Sequence, residues 1–90
     1  MTEKYVTVKT RAGIHLRPAS LIAELAAKFS SKILLIKESE NATMNAKSPM
    51  GILVLKTGYN DKLLIRAEGE DEEAAVEALF NFFERRFGEE

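Results

Sequence analysis

One histidine occurs in the ninety residues, in the run Gly13-Ile14-His15-Leu16-Arg17-Pro18-Ala19-Ser20. The run joins a short alternating apolar stretch to what reads as the first turn of an amphipathic helix. Free backbone N–H groups at a positive helix end, with the Arg17 guanidinium two residues on, suit a histidine that must carry an anion. Phosphoryl acceptance needs one unprotonated ring nitrogen, an open in-line path and fixed donors for the arriving oxygens. Positive charge nearby favours the neutral ring and then stabilises the charged product. The local residues supply such donors and no carboxylate to pair with the ring. Rival chemistries fit less well. A metal site would have one histidine, no cysteine and carboxylates without a recognisable spacing. A hydrolytic Ser20–His15 pair would lack an orienting acid nearby.

The elements that must position this run are legible from apolar periodicity. Lys4-Tyr5-Val6-Thr7-Val8-Lys9 alternates and is β-branched, which predicts a strand with Val6 and Val8 facing a core. Thr10 to Gly13 form a loop. From Pro18 onward Leu21, Leu25 and Phe29 recur every four residues beside Ile22 and Ala26, predicting a helix stripe. Pro18 suits the first turn, where a missing N–H costs no intrahelical bond. Alanines at 19, 23, 26 and 27 allow close approach to a sheet. Lys32 to Lys37 read as a strand apolar on both faces and hence central. Glu38 to Asn41 form a polar turn, and Ala42 to Ala46 a weaker returning strand. Ser48-Pro49 reads as an N-cap with proline at the first helical position. The following Met50 to Leu55 would form a short helix ending by Gly58, although their β-branched content also allows a strand. Asp61 to Glu68 give a fourth strand. Asp71 to Phe87 give a helix, acidic at its start, with Val76, Leu79, Phe80, Phe83 and Phe87 on one stripe and Arg85-Arg86 near its end. The order β-α-β-β-α-β-α is α+β, with helices on one face of a mostly antiparallel sheet.

Composition sets the frame. Ninety residues make one domain, 1–90, without room for a second core. A chain this short buries roughly 60–65% of the surface it exposes unfolded. A net charge of −1 gives no bias toward nucleic acid or an anionic membrane. Charge is nevertheless uneven: residues 1–37 hold seven basic side chains against Glu3 and Glu24, and residues 38–90 hold six against twelve acidic. The half containing His15 is the electropositive one. The absence of cysteine excludes disulfides and thiol nucleophiles. No apolar run spans a bilayer and no signal-peptide core precedes the first strand, so a cytoplasmic, non-inserted protein is expected.

The pattern Gly-x-His-x-Arg-Pro-Ala near residue 15 closely resembles the active-site signature of the HPr family, the histidine phosphocarriers of the bacterial phosphotransferase system. The resemblance extends to the element order, to Lys47-Ser48-x-Met50-Gly51 and to Glu68-Gly69-Glu70-Asp71 before the last helix. It implies an open-faced β-sandwich of four antiparallel strands with three helices on one face. It also implies a monomeric carrier without cofactor or metal. In such a carrier enzyme I, charged by phosphoenolpyruvate, phosphorylates Nδ1 of His15, and the group passes to a histidine on a IIA-type domain in sugar uptake. Arg17 would help hold the phosphoryl group, with Leu16 and Pro18 supporting it. Ser48 matches a serine that an HPr kinase/phosphorylase marks in some branches, although Pro49 replaces the larger aliphatic residue usual after it. Leu16, Ser20, Pro49, Met50 and Leu53 would form the partner-docking patch. A regulatory carrier of the nitrogen type, or an unphosphorylated interaction module on the same fold, are the alternatives. The retained His15, Arg17 and Pro18 argue against the module.

Two further runs read blandly. Glu68 to Glu73 is an acidic helix start rather than a calcium site. Phe80, Phe82, Phe83 and Phe87 read as core plus one exposed ring, Phe82.

Overall fold

The computed structural model describes residues 1–89. Its order is β1 (Thr2–Thr7), α1 (Leu16–Ala26), β2 (Lys32–Lys37), β3 (Ala42–Asn45), α2 (Pro49–Val54), β4 (Lys62–Glu68) and α3 (Glu72–Glu84). Short 3₁₀ turns, Glu38–Glu40 and Arg86–Gly88, join β2 to β3 and follow α3. The strands form one antiparallel sheet ordered β1-β4-β2-β3. The expected α+β architecture is therefore the observed one.

Strand β2 is central as its two apolar faces require. Ile33 and Leu35 are fully buried on the helix side, while Leu34 and Ile36 lie on the open side. On the open side Tyr5, Leu64, Ile36 and Thr43 stand in register across the sheet. The helix side meets Val6, Leu63, Ile65 and Ala67 with Ile22, Ile52, Val76, Leu79 and Phe83 in one apolar cluster. Asn41, at φ +53, takes the left-handed turn that closes the β2–β3 hairpin.

Several boundaries and faces differ from the sequence reading. Strand β1 runs two residues earlier, from Thr2 to Thr7. Val8, just past the strand, is fully buried in the apolar cluster, its N–H donating to Asp61 O and its carbonyl accepting from Asn60 N–H. Helix α1 begins at Leu16, which places Pro18 in its first turn as expected. Its buried face is Pro18, Ala19, Ile22, Ala23 and Ala26, with Leu21, Leu25 and Phe29 half-buried at its rim. Small residues win the inner face because α1 packs closely against α2 and α3. Helix α3 stops at Glu84, since Arg86 and Phe87 both adopt φ +55. Phe82 is half-buried, edge-on to Phe87 at 5.4 Å, rather than an exposed ring. The α2 segment is helical: Ser48 and Pro49 supply the start that its β-branched composition left open.

Part of the electropositive character of the first half is cancelled in space. Lys4 faces Glu77 at 3.9 Å and Lys9 bonds Glu84 at 2.7 Å, both on α3. No helix among the described residues is long and apolar enough to cross a membrane.

Candidate functional site

His15 stands between two fixed pieces of backbone. On its N-terminal side Gly13 donates its N–H to Thr10 O (3.0 Å) and accepts at its carbonyl from the buried Thr10 hydroxyl (3.1 Å). Gly13 has φ +73, and a Cβ there would lie 2.7 Å from Thr57 O, so both conformation and space demand glycine. Ile14 buries its side chain and donates its N–H to Thr57 O at 2.9 Å. On the C-terminal side helix α1 begins immediately.

His15 is itself the N-cap of α1, with φ −94 and ψ −168, and its ring makes no capping hydrogen bond. The carbonyl is used, accepting from Ala19 N–H at 3.0 Å. The imidazole is left for other work. In the first turn Pro18 has no N–H and Ala19 is already bonded, so the Leu16 and Arg17 amides are the donors at the positive helix end. No acidic side chain occupies that turn. The Arg17 guanidinium is exposed and makes no ion pair among the described residues.

A carboxylate reaches the ring from the far end of the chain. Glu89 Oε2 lies 3.2 Å from His15 Nε2, with the histidine side chain 47% exposed and the glutamate 14%. The neighbours of His15 in sequence supply no carboxylate, as expected, but one arrives from 74 residues away. The paired left-handed residues Arg86 and Phe87 fold the chain back after α3. That backbone conformation is uncommon for a bulky residue, and burial of the Phe87 ring holds it. Phe87 packs edge-on against Phe83 (4.9 Å) and Phe82 (5.4 Å), and Glu89 N–H closes onto Arg86 O. Local spacing around residue 15 carries no sign of this contact. The only available hint was the apolar Phe87 followed by Gly88 beyond a helix end.

A carboxylate beside Nε2 favours the tautomer that carries the proton there, leaving the lone pair on Nδ1. The tautomer so favoured carries its lone pair on Nδ1, beside amide donors at the adjoining helix start and a guanidinium in no ion pair among the described residues. Such a set can accept and hold a tetrahedral anion. No group of three metal-ligating side chains occurs among the described residues.

The remaining expected residues fall as follows. Leu16 and Met50 are strongly exposed, at 62% and 69%, and Pro49 is exposed. They lie at the starts of α1 and α2, which pack together. Val54, one turn after Met50 and also exposed, joins that apolar surface and was not anticipated. Leu53 is half-buried and packs on the core instead of facing outward, and Ser20 is half-buried. Ser48 caps α2, its Oγ accepting from Gly51 N–H at 3.0 Å, with Pro49 at the first helical position.

Comparison with known proteins matches residues 2–85 to the family model described as the PTS HPr component phosphorylation site. The phosphocarrier protein HPr of Treponema pallidum is 42% identical over 90 residues, covering all of both chains. An HPr-like protein Crh of Halalkalibacterium halodurans is 40% identical over 85 residues, 94% of this chain and 99% of that protein. Among solved structures, HPr of Thermoanaerobacter tengcongensis superposes with a TM-score of 0.93 at 43% identity, covering 100% and 99% of the two chains. An HPr dimer from that organism matches with a TM-score of 0.78 at 43% identity, covering 99% and 100%.

Proposed function

The chain belongs to the HPr family of phosphotransferase-system phosphocarriers, and from that premise we propose that His15 is its phosphoryl acceptor. The observation that carries the reading is the His15–Glu89 contact through Nε2, which leaves Nδ1 as the attacking nitrogen at an open helix start. Nδ1 attacks the phosphorus of phosphorylated enzyme I. A new N–P bond forms as the donor's bond to phosphorus breaks, and the donor nitrogen leaves with that bond's electron pair. Arg17 screens charge on the transferring group, and the Leu16 and Arg17 amides receive its oxygens. Pro18 contributes by fixing the turn.

The next step is the reverse on a histidine of a IIA-type domain, which fits a carrier in sugar uptake. Residues 1–90 serve as one carrier domain, working as a monomer in the cytoplasm. Leu16, Pro49, Met50 and Val54 form the surface on which successive partners dock, with Ser20 and Leu53 at its margin. Ser48 is a regulatory position for an HPr kinase/phosphorylase. Transfer that ends on a regulatory acceptor, with no sugar-specific IIA domain taking the label, would select the nitrogen-type reading.

The test is incubation with enzyme I, Mg²⁺ and phosphoenolpyruvate. One acid-labile, base-stable phosphoryl group is expected per chain, absent from a folded His15→Ala variant. Normal labelling of that variant would sink the assignment. Light scattering of the labelled and unlabelled protein decides monomer against dimer.

A further inference from the structure

Lys37, at the end of β2, is the only charged residue with a buried side chain among the described residues, at 5% exposure. Its ammonium donates to Lys56 O (3.1 Å) and Leu55 O (3.3 Å), the last carbonyls at the C-terminal end of α2. It also faces Glu40 Oε2 at 3.1 Å and Asp61 Oδ2 at 3.4 Å. A compact ammonium with three donors suits this set, and an apolar side chain would leave the buried Leu55 carbonyl without this donor.

The same contacts lead back to the phosphoryl site. Asp61 Oδ2 accepts the Gly58 N–H at 2.7 Å, and Asp61 O accepts the Val8 N–H at 2.9 Å. The Gly58 N–H, and then the Lys37 ammonium despite burial, hold the Asp61 carboxyl below the usual carboxylate range. The segment so fixed is the one on which the histidine loop rests. Thr57 O takes the Ile14 N–H, and a Cβ on Gly13 would lie 2.9 Å from Gly58 Cα.

We infer that Lys37 is a positioning residue for phosphoryl transfer: its ammonium clamps residues 55–61, which set both the backbone behind His15 and the end of the docking helix α2. The inference rests on His15 as the acceptor. It departs from the bland reading of Lys37 as a general stabiliser in predicting loosening confined to this segment.

Amide exchange and labelling kinetics on Lys37→Met separate the two. Ile14 and Gly58 amides should exchange at least about 10-fold faster, while Ile65 in central β4 changes by less than about threefold. The kcat for labelling by phosphorylated enzyme I should fall at least about fivefold, and Lys37→Arg should regain at least about half of the lost rate. Equal acceleration of all three amides, or an unchanged kcat, overturns the inference. If Lys37→Met does not fold, Asp61→Asn carries the same comparison, with at least about threefold faster exchange at Gly58 and Ile14 expected. Unchanged exchange there also overturns it. Absence of label on wild-type His15 defeats the acceptor assignment itself. Normal wild-type labelling with an unaffected Lys37 variant defeats only the role of Lys37.

Discussion

At the scale of single residues, the chemistry lies in what each side chain near His15 is not doing. His15 caps its helix through the backbone alone, leaving the imidazole out of the cap, and Arg17 is tied to no described carboxylate. A guanidinium free to follow the phosphoryl group should matter more to transfer than to stability. Arg17→Ala is expected to slow phosphoryl exchange by on the order of 10-fold or more, about 1.4 kcal/mol, with an unchanged circular dichroism spectrum. Rates within about twofold of wild type would remove that role. The histidine, its arginine and the helix start were legible in one octapeptide, because they are local. Glu89 was not, since its approach depends on how Phe87 packs after the last helix, and no neighbour of His15 in sequence records that.

At the scale of elements, α2 shows how a short helix is specified by its first residues. The β-branched content of Met50 to Leu55 also allows a strand. Ser48 Oγ on the Gly51 N–H, with proline at the first helical position, decides for helix. A carboxylate at position 48 can accept the same N–H and meets the positive helix end, favouring the fold by roughly 0.3–1 kcal/mol. It also places a charge beside exposed Met50 on the surface proposed for docking. Ser48→Asp should therefore keep or slightly raise the melting temperature while raising KM for the carrier, with kcat little changed. Unchanged kinetics would leave Ser48 as a cap only. Elsewhere strands and helices were legible because periods of two and near four differ sharply, as in β2 against α1. The inner face of α1 was legible in Ile22 and in alanines 19, 23 and 26, which are buried, but Leu21, Leu25 and Phe29, read as its stripe, lie half-buried at the rim.

At the scale of the whole molecule, two carboxylates at the start of α3 tie distant segments together. Asp71 accepts from the Ser31 hydroxyl and from the Ser30 and Ser31 amides, which lowers its pKa to about 2. Glu72 is held at about 2 by the Met1 amine, the Thr2 hydroxyl and the Gly69 N–H. Both folded values lie below the ordinary 3.8 and 4.5, so their contribution is present above those values and is lost as pH falls toward about 2. Urea midpoints should hold from neutrality to about pH 5 and then decline, with a shallower decline in Asp71→Asn. An acid limb identical in that variant would discharge Asp71 from the account. The sheet order and these long-range ties set the frame in which Glu89 reaches the histidine. The central claim concerns the atom presented there. The most direct measurement is two-dimensional ¹⁵N NMR of the imidazole before and after labelling by enzyme I and phosphoenolpyruvate. The account predicts the Nε2-protonated tautomer beforehand and a phosphoryl group on Nδ1 of His15 afterwards; a group on Nε2, or on any other residue, would contradict it.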